Sequence, residues 1–180
     1  MNRLLLLLIL MSIFNFSNAQ QLKPIDAESS INFNINNFGL TTKGSLKGLN
    51  GTIVWNNKNT NAAKFLISVD ATTINTNNSL RDNHLKKADY FNVAKFTTIS
   101  LKSTKIISLE NGSSYEMEAD LTLKGITKKI KIPFTTIEQS KGILFSGKFE
   151  IDRKDYGVGG SSLSLSNSVK ISLNVFTNFY

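Results

Sequence analysis

The chain has 180 residues, with 21 lysines and arginines against 13 acidic residues, a net charge of +8, one histidine and no cysteine. The absence of cysteine excludes a disulfide scaffold and a lipid-modified cysteine anchor, and with a single histidine there is no ligand set for a transition metal. The basic charge is scattered over strand faces, and only Lys128, Lys129 and Lys131 cluster. It reads as a solubility feature, with no nucleic-acid partner implied, and leaves transient contact with an anionic membrane surface open.

Arg3, the apolar run Leu4–Phe14 and the small residues Ser17 and Ala19 make a secretory signal pattern over residues 1–19. The run falls short of the roughly 20 residues that a membrane-spanning helix needs. Cleavage near Ala19 would release residues 20–180 as one domain into the periplasm or the medium, held together by its core alone.

From Ser29 onward the chain alternates. Ile31, Phe33 and Ile35 share one face, and Gly39, Gly44, Gly48 and Gly51 then permit bends or bulges. Ile53 and Trp55 resume the alternation, Asn56–Asn61 is a polar turn, and Ala63, Phe65, Ile67 and Val69 form another face. After Asn75–Phe91 come Ile99 and Leu101, an Asn111-Gly112 hairpin signal, and the clearest strand of the chain, with Tyr115, Met117, Ala119, Leu121 and Leu123 on one side. Gly125 ends it. Ile130, Ile132 and Phe134, then Ile143, Phe145, Phe149 and Ile151, then Val169, Ile171, Leu173 and Val175 complete the series. About eight such strands predict an all-β fold, an antiparallel sandwich or barrel.

Asn75–Phe91 breaks the pattern. Charged, amide and aromatic residues crowd around His84, and Ser79–Lys87 predicts a short helix capped by Asn78 or Ser79, with Leu80 and Leu85 inward. Ile151–Gly160, reading IDRKDYGVGG, is its later echo. No nucleophile elbow or phosphate loop occurs, and Asp82 and His84 point apart on a helix, which argues against a hydrolytic triad with Ser79.

The ordered set of motifs resembles the YceI family of secreted bacterial proteins. It begins with Asp26, Ser30, Ile31, Phe33 and Ile35 and runs through Phe38-Gly39, peaks at Thr76-x-Asn78-x-x-Arg81-Asp82-x-His84-Leu85 and Asp89-Tyr90-Phe91, and resumes at Leu121–Lys128. It closes with Ile151-Asp152-Arg153-x-Asp155-Tyr156-Gly157-Val158-Gly159. Thr97 and Lys129 stand where proline is usual, Lys87 replaces serine and Asp152 replaces asparagine. The resemblance implies an eight-stranded antiparallel lipocalin-like barrel, with the helix-containing insertion at one end.

It further implies a non-catalytic carrier that sequesters an isoprenoid, an isoprenoid quinone or a fatty amphiphile and needs no cofactor. Phe33, Phe38, Phe65, Ile67, Leu85, Phe91, Phe145 and Phe149 are then expected to line an apolar pocket, and Arg81, Asp82, His84 and Asp155 its polar mouth. For Arg81 and Asp82 a mutual bond or a capping role stays open. So do a homodimer, an enzyme acting on such a lipid, and a filled-core structural or stress-linked protein.

Overall fold

The computed structural model describes residues 20–109 and 112–179. The expected signal peptide and Asn111 lie outside them. Nine strands form one antiparallel sheet: β1 (Gln20–Leu22), β2 (Ser30–Asn37), β3 (Leu40–Trp55), β4 (Lys64–Asn75), β5 (Thr98–Ser108), β6 (Ser114–Leu123), β7 (Ile126–Gln139), β8 (Gly142–Asp152) and β9 (Leu165–Asn178). Pairing runs β3-β2-β9-β8-β7-β6-β5-β4, and the β3–β4 ladder closes the ring. The result is an eight-stranded barrel, the form that the family likeness implies and one of the two that the alternation leaves open.

The short β1 does not add a stave. It pairs with Ile53–Trp55 on the flank of β3 that β2 occupies at Leu40–Leu46. Between the two, where strand pairing lapses, the Asp26 carboxylate accepts the Leu49 N–H at 2.8 Å. The glycine-punctuated stretch is one sixteen-residue strand rather than a series of bends. Its register against β4 shifts between Ser45 and Lys47 and again between Lys47 and Asn50, and Gly48 and Gly51 have positive φ. Bulges of this kind bend a long strand around a barrel wall.

Two tight turns at the same end match the strand twist. Phe38-Gly39 and Lys124-Gly125 each have positive φ at both positions, the type I′ signature. Pairing of β7 with β8 stops at Phe134–Gly147, one residue before Pro133, which has no N–H to give. Beyond it the exposed edge of β7 carries Lys128, Lys129 and Lys131, charges that discourage edge-to-edge pairing.

Inward residues are buried along β6, where Tyr115, Met117, Ala119, Leu121 and Leu123 all lie in the core. The two ends of the barrel differ. At the end opposite the tight turns, Trp55, Phe65, Tyr115, Phe134 and Phe145 pack as an aromatic plug. Trp55 meets Tyr115 edge-on at 4.9 Å between ring centroids and Phe145 at 5.2 Å, and Phe65 meets Phe145 at 5.3 Å. Edge-to-face pairs at this spacing add to the area that the rings bury. Among the described residues no helix is long and apolar enough to cross a membrane.

Candidate functional site

The open end is built by four connections: the Phe38-Gly39 turn, residues 76–97, the Lys124-Gly125 turn and residues 153–164. Residues 76–97 hold the one α-helix among the described residues, α1 (Ser79–Leu85), shorter than the expected Ser79–Lys87. Asn78 caps it, its Oδ1 accepting the Arg81 N–H at 3.0 Å. Leu85 turns inward and is half-buried, but Leu80 is strongly exposed at the rim, against the expectation that both face in.

Thr76 is the hub of this segment. It is buried, and its N–H and hydroxyl both donate to Asp82 Oδ1, at 2.8 and 2.5 Å. Arg81 donates its Nε–H to Thr76 Oγ1 at 2.7 Å and an Nη2–H to the Thr76 carbonyl at 2.8 Å. Arg81 and Asp82 therefore do not bond each other; the threonine hydroxyl stands between them. Arg81 Nη1 has no hydrogen-bond partner among the described residues, and the side chain lines the cavity.

His84 lines the cavity too, and its ring lies tilted on Tyr90 with centroids 4.8 Å apart. No hydrogen bond joins Ser79, Asp82 and His84, since Asp82 is engaged by Thr76.

Residues 153–164 begin with a 3-10 turn, Arg153–Tyr156, and are organised by Arg153, which is only 3% exposed. Its Nη1 donates to the carbonyls of Val158 (2.8 Å), Gly159 and Gly160 (3.0 Å). Its Nε donates to Ser166 O at 2.9 Å, and Nη2 reaches Leu165 O and Asn167 Oδ1 at 3.3 Å. A guanidinium thus serves as the template around which the loop wraps, with its charge met by carbonyl dipoles. Gly159 is required here. Its φ is +62°, and a Cβ would lie 2.8 Å from the Tyr90 ring. Lys124 ties the same region together, donating to Asp89 O at 3.2 Å and Gly157 O at 2.5 Å.

Between these connections and the plug lies a cavity of about 610 Å³. Its walls include Phe33, Ile67, Leu85, Phe91 and Phe149, and further aliphatic residues such as Leu46, Leu101 and Ile171. Three expected wall residues lie elsewhere. Phe65 and Phe145 belong to the plug, because their strands reach the closed end at those positions, and Phe38 stands 82% exposed on its turn. Of the expected polar mouth, Arg81 and His84 line the cavity; Asp82 is held by Thr76, and Asp155 lies outside the wall. Arg153, not singled out from sequence, does line it. Its signal was the glycine-rich run after it, which a buried side chain had to organise.

Tyr156, beside Asp155, is buried and its hydroxyl meets no hydrogen-bonding group among the described residues. Burial, with the Asp155 charge adding to it, pushes its phenol up to about 12. Among the described residues no group of three or more His, Cys, Asp or Glu could hold a metal ion.

A closed antiparallel barrel, plugged with rings at one end and hollow beneath a polar mouth at the other, is a lipocalin-like binding architecture. The YceI-like domain model matches residues 22–176, so the chain belongs to the YceI family. A UPF0312 protein of Vibrio cholerae is 31% identical over 158 residues, covering 83% of this chain and 81% of that protein. Protein YceI of Escherichia coli is 29% identical over 152 residues, 81% and 78% of the two chains. Among solved structures, Burkholderia cenocepacia BcnA superposes with a TM-score of 0.79 at 17% identity, over 85% of this chain and 98% of that one. A polyisoprenoid binding domain from Saccharophagus degradans, implicated in plant cell wall breakdown, gives 0.71 at 14% identity, over 91% and 100%. At these identities the two structures establish the likeness of fold.

Proposed function

We propose that the barrel holds the tail of an amphiphilic lipid (an isoprenoid, an isoprenoid quinone or a fatty chain) in its cavity, with the head group at the Arg81–His84 mouth. The observation that carries this is the half-filled barrel: about 610 Å³ of space, mostly apolar in lining, closed by the aromatic plug and open beside a cationic side chain. The volume lies within the range of about 300–1,000 Å³ typical of small-ligand sites. Each methylene moved from water into such a space contributes about 0.8 kcal/mol, before the cost of immobilising the chain. Relatives of the fold include a polyisoprenoid binding domain, which agrees with this reading.

The mouth offers two kinds of polar contact. Arg81 has Nη1 free for a phosphate, carboxylate or carbonyl. Asn37, in the cavity wall, has a buried side-chain oxygen with no partner, an acceptor for a ligand hydroxyl or amide. The role is one of binding and carriage rather than catalysis, in the periplasm or medium after loss of residues 1–19.

Native mass spectrometry of the mature chain, purified from an expressing bacterium without detergent, tests the proposal. An adduct of lipid mass that survives gentle activation and is identified by fragmentation supports it. A bare mass from several hosts and after incubation with fatty acids and prenols refutes it, and appearance of a chemically altered lipid moves the protein to the enzymes.

A further inference from the structure

The rim of the cavity is itself apolar. The four most exposed large hydrophobic residues among those described are Leu163, Phe38, Leu80 and Leu40, and all four belong to the open end. Phe38 lies in the β2–β3 turn and Leu40 follows it, Leu163 sits on the loop bonded to that turn through Phe38 N–H to Ser164 O, and Leu80 is in the first turn of α1 and lines the cavity.

Phe38 is the telling residue. A type I′ turn with positive φ at both positions favours asparagine first and glycine second. Here a phenylalanine takes φ +51°, a conformation costly for a bulky residue, and its ring touches little, being 82% exposed. Local strain and an exposed ring both work against stability. Such a combination is retained where the ring acts on something outside the fold.

The charge around this rim is predominantly positive. Apart from the buried Arg153, the open-end connections carry Arg81, Lys86, Lys87, Lys95, Lys124 and Lys154 against Asp82, Asp89 and Asp155. None of these basic side chains is in an ion pair; among the described residues, only Lys129 and Lys131 are. Asp82 is committed to Thr76.

We infer that the open end docks on an anionic lipid bilayer, with Phe38, Leu40, Leu80 and Leu163 entering the interface and the surrounding lysines resting on the head groups. This rests on the lipid-binding reading of the cavity and adds how the ligand arrives. Apolar rim, cationic surround and cavity mouth coincide, so a tail leaving the bilayer passes from acyl chains to cavity wall without crossing water. A second copy of the chain is the other occupant such a patch could take, but two like-charged rims would repel each other.

The test uses flotation of the mature chain with vesicles of phosphatidylcholine containing about a quarter phosphatidylglycerol, beside uptake of a fluorescent fatty acid from vesicle-free solution. The variant is Phe38→Asn with Leu163→Ser; asparagine suits the turn, so folding is preserved, and thermal unfolding verifies it. The expected result is loss of vesicle binding by at least about tenfold, weaker wild-type binding at high salt or without the anionic lipid, and unchanged fatty-acid uptake. Vesicle binding that is absent in wild type, or equal in the variant, overturns the inference. So does a wild-type dimer, seen by sedimentation, that the variant abolishes while vesicles float neither form. Failure of fatty-acid uptake by the wild type would instead strike the cavity reading, whatever the vesicles show.

Discussion

Arg81 grips Thr76 at two points, its Nε–H on the hydroxyl oxygen at 2.7 Å and its Nη2–H on the carbonyl at 2.8 Å. The same hydroxyl donates its own hydrogen bond to the Asp82 carboxylate, so one buried threonine fixes both Arg81 and Asp82. Thr76→Val removes the shared hydroxyl and strands both partners. The expected cost is about 1–3 kcal/mol in urea unfolding of lipid-free protein, with weaker lipid retention because Arg81 loses its anchor. Thr76→Ser should restore both. Intact retention in Thr76→Val would show that Arg81 is not positioned by this contact.

Phe65 and Phe149 make a second, paired prediction. Phe65 is buried in the plug, while Phe149 lines the cavity. Phe65→Ala should destabilise by about 3–5 kcal/mol and leave bound lipid of the same kind in the folded fraction. Phe149→Ala should cost less stability and change the amount or chain length of lipid retained. Mass spectrometry of both variants decides; lipid lost in the first and unaltered in the second would place the binding space in the plug.

That pair also shows what the sequence could and could not convey. Period-2 alternation told which face of a strand points inward, and the inward series Tyr115 to Leu123 is buried throughout. Alternation carries no information on height along the barrel axis, which depends on register and bulges. Phe65 stands opposite Ile53 near one end, Phe149 opposite Ile171 toward the other, and their local sequence patterns are alike. So the question of a filled or a hollow barrel had no answer in periodicity, and the structure holds both halves. The Arg81–Asp82–His84 segment was conspicuous because it interrupts the alternation. Arg153 was not, because its acceptors are backbone carbonyls, which every residue possesses.

Tyr156 supplies a pH dependence. Its folded-state phenol is raised to about 12, above the ordinary value of 10. The folded protein therefore holds this proton more tightly than the unfolded chain. Stability from this group is complete below pH 10 and is lost as pH rises toward 12. Tyr156→Phe removes that loss and also removes a buried hydroxyl without a partner. The variant should be as stable as wild type or better by about 1 kcal/mol at pH 8, with its advantage growing above pH 10. Unfolding curves for both proteins at pH 8, 10 and 11, values that bracket the onset of titration near 10, provide the check; a clear loss of stability at pH 8 would mean that the hydroxyl bonds an ordered water.

Arg153 carries the last prediction. Lysine in its place would keep the charge but has three donors on a single nitrogen, against five on a planar fork. It cannot reach Ser166 O on one side and the carbonyls of Val158, Gly159 and Gly160 on the other. Arg153→Lys should thus cost at least about 3 kcal/mol and expose residues 157–164 to limited proteolysis. Gly159→Ala should loosen the same loop from the opposite side, since its Cβ would meet both the Tyr90 ring at 2.8 Å and Arg153 Nη1 at 3.1 Å. Because both changes disturb the same contact, that of the Arg153 guanidinium with Gly159, the double variant should lose less than the sum of the singles. Full additivity in urea unfolding would show that Arg153 and Gly159 act independently, and the guanidinium would then have to be assigned some role other than templating the loop.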